Sequence, residues 1–294
     1  MNTIHPLAFV DPRAELGRDV FVGPFCHVGP DVALGDGCIL HGHVTVLGPS
    51  EIGPQNVFFP TVVIGTAPQD LKYRGGPTRL VIGQGNVFRE QVTVHRGTEI
   101  DRRSGGVTRI GDQNLFMVGV HVAHDAVVHN HIVLANAVLV AGHVSIEDCV
   151  NVGGASAIHH FVTVGRNAFV AGMTRITHDV PPYMKIQGYD AVVRGVNIEG
   201  MRRWHIGEST IEAMKEAHRL LFGRAGGAPG RTAEMLREIA TNGLCDDEHV
   251  RYLVEFMQRK LDLGVFGRAR EHDRSDRRTE RGEFYRARPE EPCP

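Results

Sequence analysis

The stretch from Phe116 to Gly165, FMVGVHVAHDAVVHNHIVLANAVLVAGHVSIEDCVNVGGASAIHHFVTVG, is an unbroken run of six-residue units. A period of six is neither the 3.6 of an α-helix nor the 2 of a half-buried strand. It is typical of a prism-shaped parallel β-helix with three short strands per coil, in which one apolar residue of each unit points into the core. Those residues are Phe116, Val122, Val128, Leu134, Val140, Ile146, Val152, Ile158 and Val164.

The same period covers most of the chain. Core residues recur every six positions from Ile4 to Ile64, from Ile82 to Val94 and from Ile110 to Ile176, which makes 26 units. With 18 residues per coil and about 4.8 Å between coils, the units form a column about 40 Å tall. Each buried core side chain contributes about 1.5–3 kcal/mol. Glycine often follows the core residue, as at Gly53, where a β-carbon would clash at the corner. The predicted fold class is mainly β.

Two hydrophilic segments interrupt the repeat, Thr66 to Val81 and Arg96 to Arg109. We call them the first loop and the second loop. If the faces of the prism are numbered from the unit of Ile4, both loops leave the second face and return on the third. They therefore project from the same edge of the column, and loops of this length often carry function.

The repeat is predicted to end at Pro181 and Pro182, because neither residue can donate a ladder hydrogen bond. Helical patterns follow. A capping box begins at Ser209, a second helix covers Thr232–Thr241, and the Asp246–Asp247 pair opens a third. From Arg268, arginines and carboxylates alternate with almost no aliphatic residues, which predicts a disordered tail. The expected domains are a β-helix over 1–182, a helical domain over 183–267 and a tail over 268–294.

The composition argues against several classes of protein. The net charge is −2 and the pI is near 6.8, so a general nucleic-acid-binding role has no electrostatic support. The 5 cysteines are scattered without CxxC spacing, which favours a reducing compartment over disulfides or structural zinc. No targeting pattern or membrane-spanning run is present. We expect a cytoplasmic protein without stable membrane insertion.

The hexad map brings histidines from four successive coils onto the second face, where both loops leave. They are His95, His124, His143 and the pair His159–His160, with His121 at the corner that leads onto this face. Because residues 18 apart stack, His124, Gly142 and His160 form one column, and Asp125, His143 and Phe161 form its neighbour. The two loops are expected to wall a cleft over these columns.

This cluster favours general-base chemistry. An imidazole has an unperturbed pKa near 6.5 and is the usual general base at neutral pH. Asp125 could hold one tautomer of His124 and stabilise the imidazolium, and the Gly142 N–H could stabilise an oxyanion. There is no GxSxG motif, and Cys149 falls on the third face, so a covalent nucleophile is not indicated. Direct attack of a substrate hydroxyl on an acyl donor is the simpler scheme.

Seven segments resemble one known family, the UDP-N-acetylglucosamine acyltransferases of lipid A biosynthesis. They are QDLKY at 69–73, TVHRGT at 93–98, HVAHD at 121–125, AGHV at 141–144, AIH at 157–159, DVPPY at 179–183 and GVNIEG at 195–200. The resemblance covers roughly residues 4–265, and its motifs are specific in order and spacing.

The resemblance implies a left-handed β-helix and a homotrimer with active sites between subunits. It also implies transfer of a 3-hydroxyacyl chain from acyl carrier protein to the 3-hydroxyl of UDP-N-acetylglucosamine, with no cofactor and no metal. His124 would be the base, Asp125 its partner and Gly142 the oxyanion donor. Substrate contacts would come from Asp70, Lys72, His95, His121, His143, His159, Asn197, Glu199 and Arg203. Gly172 matches a position that helps set acyl length, beside Met173.

Other interpretations stay open at the level of sequence. The same prism carries zinc in γ-class carbonic anhydrases, and His121, His124 and His160 could be offered as ligands. A non-catalytic hexad scaffold is a third possibility. The related N-acyltransferase of the same pathway normally has an additional N-terminal domain, whereas the hexads here begin at Ile4.

Overall fold

A computed structural model describes residues 1–99, 104–223 and 231–273 of the chain. Three parallel sheets form the sides of a prism, as the six-residue period predicts, and each of the 26 predicted units supplies one strand. Partners in neighbouring coils are 18 residues apart, except across the loops, as in Thr3 opposite Phe21. The chain thus visits the three sheets in turn.

The strands fall into three sets. The first sheet holds β1 (Thr3–Ile4), β4 (Phe21–Val22), β7 (Ile39–Leu40), β10 (Val57–Phe58), β13 (Val87–Phe88), β16 (Leu115–Phe116), β19 (Val133–Leu134), β22 (Asn151–Val152), β25 (Phe169–Val170), β27 (Met184–Gln187) and β28 (Val192–Val196). The second sheet holds β2 (Phe9–Val10), β5 (His27–Val28), β8 (Thr45–Val46), β11 (Val63–Thr66), β14 (Thr93–His95), β17 (His121–Val122), β20 (Leu139–Val140), β23 (Ala157–Ile158) and β26 (Arg175–Ile176). The third sheet holds β3 (Glu15–Leu16), β6 (Val32–Leu34), β9 (Ser50–Ile52), β12 (Arg79–Ile82), β15 (Val107–Ile110), β18 (Val127–Val128), β21 (Ser145–Ile146) and β24 (Thr163–Val164).

The core contains a second residue from most units, two positions before the predicted one. Val120 and Val122 are both fully buried, and so are Ile132 and Leu134. In three coils this second position holds an asparagine, Asn56, Asn86 and Asn114, and the side-chain oxygens of Asn56 and Asn86 each accept from the backbone N–H of the next asparagine. Above them, the rings of Phe58, Phe88 and Phe116 stack with centroids 4.9 and 4.7 Å apart.

The corners depend on two separate features. A β-carbon at Gly53 would lie 2.6 Å from the Gly83 carbonyl oxygen, which confirms why glycine follows the core residue. Three positions after the core residue, however, the backbone is left-handed and usually not glycine, as at Asp125 (φ 59°) and His143 (φ 63°). The left-handed conformation at this position could not be predicted from the sequence, because several residue types occupy it.

The six-residue repeat ends before Pro181, but the first sheet continues beyond it by one hairpin. β27 pairs in parallel with β25, and β28 returns antiparallel to β27, so the first sheet continues to Val196. Proline lacks an N–H donor, but Pro181 and Pro182 lie in a turn between strands, where no ladder hydrogen bond is needed.

Four α-helices follow, α1 (Ile198–Arg203), α2 (Glu208–Phe222), α3 (Thr232–Thr241) and α4 (Glu248–Leu263), with short 3₁₀ helices at Leu244–Asp246 and Ala269–Asp273. The bounds of α3 match the prediction. Asp247 caps α4 by accepting from the backbone N–H of His249 and Val250, as predicted. The capping box at Ser209 is wrong, since α2 begins at Glu208 after Gly207 and has no side-chain cap.

The first residues of the predicted tail are ordered. Arg268 is buried, forms an ion pair with Glu271 at 3.1 Å and donates to the Thr177 carbonyl at 2.7 Å. The Ala269 N–H donates to Asp179 Oδ2 at 2.7 Å. These contacts return the chain to the end of the column, which composition alone could not reveal. Residues 274–294 of the predicted tail lie outside the described residues.

Candidate active site

Both loops leave the second sheet and return on the third, at the same edge of the column, as the period predicts. The irregular part of the first loop spans 67–78, and the second loop ends at 106, because β12 and β15 begin three residues before the expected return of the repeat. The loops contact each other, since the Arg74 N–H donates to Glu99 Oε1 at 2.7 Å. The Arg96 guanidinium donates to the carbonyls of Gly48 and Gly65 at 2.9 Å and so fastens the second loop to the column.

His124 and Asp125 form the centre of the site, in the corner after β17. His124 Nδ1 lies 2.8 Å from Asp125 Oδ2, and the carboxylate is fully buried. Burial alone would raise the pKa of Asp125, but hydrogen bonds from His124, Ser104 and Thr98 and the nearby His143 hold it below its ordinary value. An ionised Asp125 requires Nδ1 to donate. In the neutral form of His124 the lone pair is then on Nε2, the nitrogen that a general base would use.

The second loop surrounds the Asp125 carboxylate. Thr98 Oγ1 and Ser104 Oγ each donate to it at 2.7 Å, and the Thr98 N–H donates at 3.0 Å. Thr108 Oγ1 accepts from the Asp125 N–H at 2.8 Å. Roles for Thr98, Ser104 and Thr108 could not be predicted from the sequence. These residues belong to the predicted second loop, which has no position on the hexad map.

Three other predicted histidines lie beside this pair. His143 Nδ1 is 3.9 Å from Asp125 Oδ2, and its ring stacks flat on Phe161 at 4.4 Å. Burial lowers the pKa of His95 to about 4, and burial also lowers the pKa of His121. Both rings are therefore neutral near pH 7 and can donate or accept hydrogen bonds without adding charge.

The first loop brings a carboxylate and an ammonium to the same place. Asp70 Oδ2 lies 3.7 Å from His124 Nε2 and 3.7 Å from Lys72 Nζ. Gly142 lies on the other side, where a β-carbon would be 2.5 Å from His124 Cε1. The predicted column of His124 and Gly142 is therefore present. Among the described residues, the Gly142 amide has no backbone acceptor.

The remaining predicted residues lie on other parts of the chain. His159 Nδ1 is 3.1 Å from the His160 carbonyl, one coil beyond His143. Asn197 caps α1, since its side chain accepts from the Gly200 N–H. The same buried amide donates to the Asn167 carbonyl, so both of its contacts within this chain stabilise the fold. Glu199 and Arg203 lie in the same helix, α1. Gly172 and Met173 form the corner after β25, and Met173 is 81% exposed.

Comparison with known proteins decides the family. Residues 179–265 match the domain family described as UDP N-acetylglucosamine O-acyltransferase, domain 2, and residues 13–48 match the bacterial transferase hexapeptide family. The acyl-[acyl-carrier-protein]–UDP-N-acetylglucosamine O-acyltransferase of Saccharophagus degradans is 46% identical over 224 residues, which are 76% of this chain and 86% of that protein. The chain belongs to this acyltransferase family.

Solved structures of the family agree with the fold. LpxA from Acinetobacter baumannii is 39% identical, with a TM-score of 0.81 over 87% of this chain and 96% of that chain. The UDP-N-acetylglucosamine O-acyltransferase from Moraxella catarrhalis is 40% identical, with a TM-score of 0.80 over the same shares, 87% and 96%. The predicted left-handed β-helix with C-terminal helices is confirmed.

The zinc interpretation fits the family and the side chains poorly. Among the described residues, one group of three potential ligands is close enough to share an ion, His124, Asp125 and His143, with two imidazoles instead of three. The Asp125 oxygens already accept from Thr98, Ser104 and His124, so an ion would have to displace these donors. Within the described ranges, no helix is long and apolar enough to cross a membrane.

Proposed function

We propose that this chain transfers a 3-hydroxyacyl chain from acyl carrier protein to the 3-hydroxyl of UDP-N-acetylglucosamine, the first step of lipid A biosynthesis. The observation that carries the proposal is the 2.8 Å pair of His124 and Asp125 in a chain of this acyltransferase family. The pair leaves Nε2 of a partly exposed imidazole with a lone pair, as deprotonation of a hydroxyl requires.

In this mechanism His124 Nε2 takes the proton of the sugar hydroxyl as the oxygen attacks the thioester carbonyl. Asp125 stabilises the imidazolium, and the Gly142 N–H stabilises the oxyanion. The C–S bond then breaks, the new C–O ester bond remains, and the imidazolium returns its proton to the departing thiolate. The products are the acylated sugar nucleotide and the free thiol of the carrier.

Substrate contacts are proposed for the residues around this pair. Asp70 and Lys72 reach the cleft from the first loop, and the neutral rings of His95 and His121 offer uncharged hydrogen-bonding groups. Further contacts are proposed for His143, His159, Asn197, Glu199 and Arg203. Control of acyl length is proposed for Gly172 and its exposed neighbour Met173.

A homotrimer is proposed on a separate feature, the outward side chains of the first sheet. Successive coils present an apolar row to the outside, namely Phe21, Ile39, Val57, Val87, Leu115 and Val133. Such a row suits burial against other copies of the chain, since homo-oligomer interfaces are more apolar than other surface. We further propose a cytoplasmic location, where the carrier protein and the sugar nucleotide are available. Light scattering of the purified protein tests the trimer.

The activity is tested by mixing the protein with UDP-N-acetylglucosamine and 3-hydroxyacyl carrier proteins of several chain lengths. Release of carrier thiol is followed. His124→Ala should lower kcat by about 10²- to 10⁴-fold, the usual contribution of a general base. His27→Ala is the control, because His27 stacks on Phe9 at the far end of the second sheet. Wild-type turnover by His124→Ala would refute the base, and absence of thiol release with every carrier would refute the reaction.

A further inference from the structure

We infer that Thr98 and Ser104 of the second loop are positioning residues, which hold the Asp125 carboxylate so that it accepts the Nδ1 proton of His124. The inference rests on the proposed function, because it acts through His124 as the base. Neither residue lies on the hexad map, and neither touches the proposed reacting atoms.

The Asp125 carboxylate has a limited number of acceptor positions. A carboxylate offers about four, two on each oxygen. Oδ1 accepts from Ser104 Oγ at 2.7 Å and from the Thr98 N–H at 3.0 Å. Oδ2 accepts from Thr98 Oγ1 at 2.7 Å, from His124 Nδ1 at 2.8 Å and, at 3.2 Å, from the same Thr98 N–H, which is shared between the two oxygens. His124 therefore takes the position that the loop leaves open, and the loop fixes the direction of the hydrogen bond.

The two hydroxyls lie on the two described limbs of the second loop. Its two limbs meet at Gly97 and Gly106, where a β-carbon on Gly97 would overlap the Gly106 backbone. Arg96 fastens one limb to the carbonyls of Gly48 and Gly65. Thr98 is 1% exposed. The donors are thus fixed before substrate arrives, which is what preorganisation of a catalytic pair requires.

The charge of the donors also suits them to a positioning role. The donors are neutral hydroxyls and an amide, so they stabilise the buried anion without replacing His124 as its cationic partner. Charged and titratable groups surround His124 and Asp125. The first loop supplies Asp70 and Lys72, and the column supplies His95, His121 and His143. Arg96 of the second loop acts on His95. Removal of one hydroxyl leaves the carboxylate charge shared among fewer donors. Asp125 then attracts the His124 imidazolium more strongly, but the carboxylate is less firmly fixed and holds the His124 ring less well in one orientation.

The experiment compares Ser104→Ala and Thr98→Val with Ser104→Thr and Thr98→Ser, which keep the hydroxyls. Ser104→Ala should lower kcat about tenfold, a part of the total that general-base catalysis supplies. The acidic limb of its kcat/KM profile should move to higher pH by about 0.5 unit, since a donor to the anion is lost. KM for the sugar nucleotide should change less than twofold. Where Thr98→Val does not fold, Ser104→Ala carries the test.

Ser50→Ala is the matched control, because Ser50 is also a buried hydroxyl, donating to the Leu47 carbonyl at 2.6 Å on the third sheet. It should leave the pH profile unchanged. An unmoved acidic limb in Ser104→Ala, with kcat within twofold of wild type, would overturn the inference.

A second readout does not depend on turnover. NMR of protein labelled at histidine follows the ring titration of His124, assigned by loss of its signal in His124→Ala. The inference expects the titration midpoint to move to higher pH in Ser104→Ala and to stay in place in Ser104→Thr. If His124→Ala keeps its activity, the proposed base is wrong, and the NMR titration still decides whether the loop positions Asp125.

Discussion

The ring of His124 lies against the α-carbon of Gly142, one coil away. A β-carbon on Gly142 would be 2.5 Å from His124 Cε1 and 2.7 Å from Nε2. The base can therefore occupy its place only while residue 142 has no side chain.

Gly142→Ala should lower kcat about 100-fold, because displacing a catalytic group by about 1 Å has costs of this size. The fold should be retained, since the nearest atoms belong to a side chain. Gly42→Ala is the control, because it occupies the same place in its unit and its β-carbon would lie 3.2 Å from the nearest atom, the Pro24 carbonyl oxygen. A steady-state assay decides, and equal kcat values for the two variants would contradict the prediction.

The stability of the protein should depend on pH through His95. Burial, with smaller contributions from His121, His124 and Arg96, lowers the pKa of His95 to about 4, whereas an unfolded histidine titrates near 6.5. Between these pH values the unfolded chain binds a proton that the folded chain does not. The stability is therefore fully present above about pH 6.5 and is lost as pH falls towards about 4.

Denaturant unfolding from pH 4 to pH 7 measures this effect. The free energy of unfolding of His95→Gln should fall less steeply with acid than that of wild type. His27→Gln, with an exposed ring, should follow the wild-type slope. If His95→Gln and wild type have parallel pH dependences, His95 is not the group responsible.

Arg268→Ala should destabilise the protein by about 3 kcal/mol, because it removes one partner of a buried ion pair. The side chains of Arg268 and Glu271 are only 8% and 6% exposed. Arg202→Ala removes one partner of an exposed pair with Glu208 and should cost much less, because solvent screens an exposed ion pair. Chemical denaturation compares the two variants, and equal losses of stability would show that the buried pair after α4 contributes no more than the exposed pair does.

Phe88→Ala should cost about 3–5 kcal/mol, because it leaves a cavity between two stacked rings in the core. Phe88 is fully buried, and its ring is within 6° of parallel with Phe58 and within 2° of parallel with Phe116. Phe25→Ala is the control at an exposed ring. Thermal unfolding should separate the variants clearly, and a similar Tm for both would mean that the column closes around the gap.

The column and the centre of the site could be predicted from the sequence for one physical reason. Stacking at 18 residues is a property of the repeat, so His124 and Gly142 could be placed together without knowledge of any contact. The same map could not supply Thr98 or Ser104, which reach Asp125 from 27 and 21 residues away along the chain. Loop conformation depends on long-range contacts such as that of Arg96 with Gly48, and these leave no periodic signal.

In the C-terminal region, too, local features could be predicted from the sequence, whereas long-range contacts could not. Local signals were sufficient for α3 and for the Asp247 cap of α4. They were misleading at Arg268, where a charged composition suggested a tail. Burial of the Arg268–Glu271 pair depends on the end of the column being nearby, which is tertiary information.

The parallel stacking of coils restricts how the length of this chain can change. Six residues inserted between Asp125 and Gly142 would move Gly142 from the second face to the third and away from His124. A complete additional coil would restore the face but place Gly142 one level further from the base. Insertions within the first or second loop change neither the face nor the level of any later residue. The loops can therefore gain or lose residues during evolution, or accept a fused peptide, while the segment from His121 to His143 must keep its length.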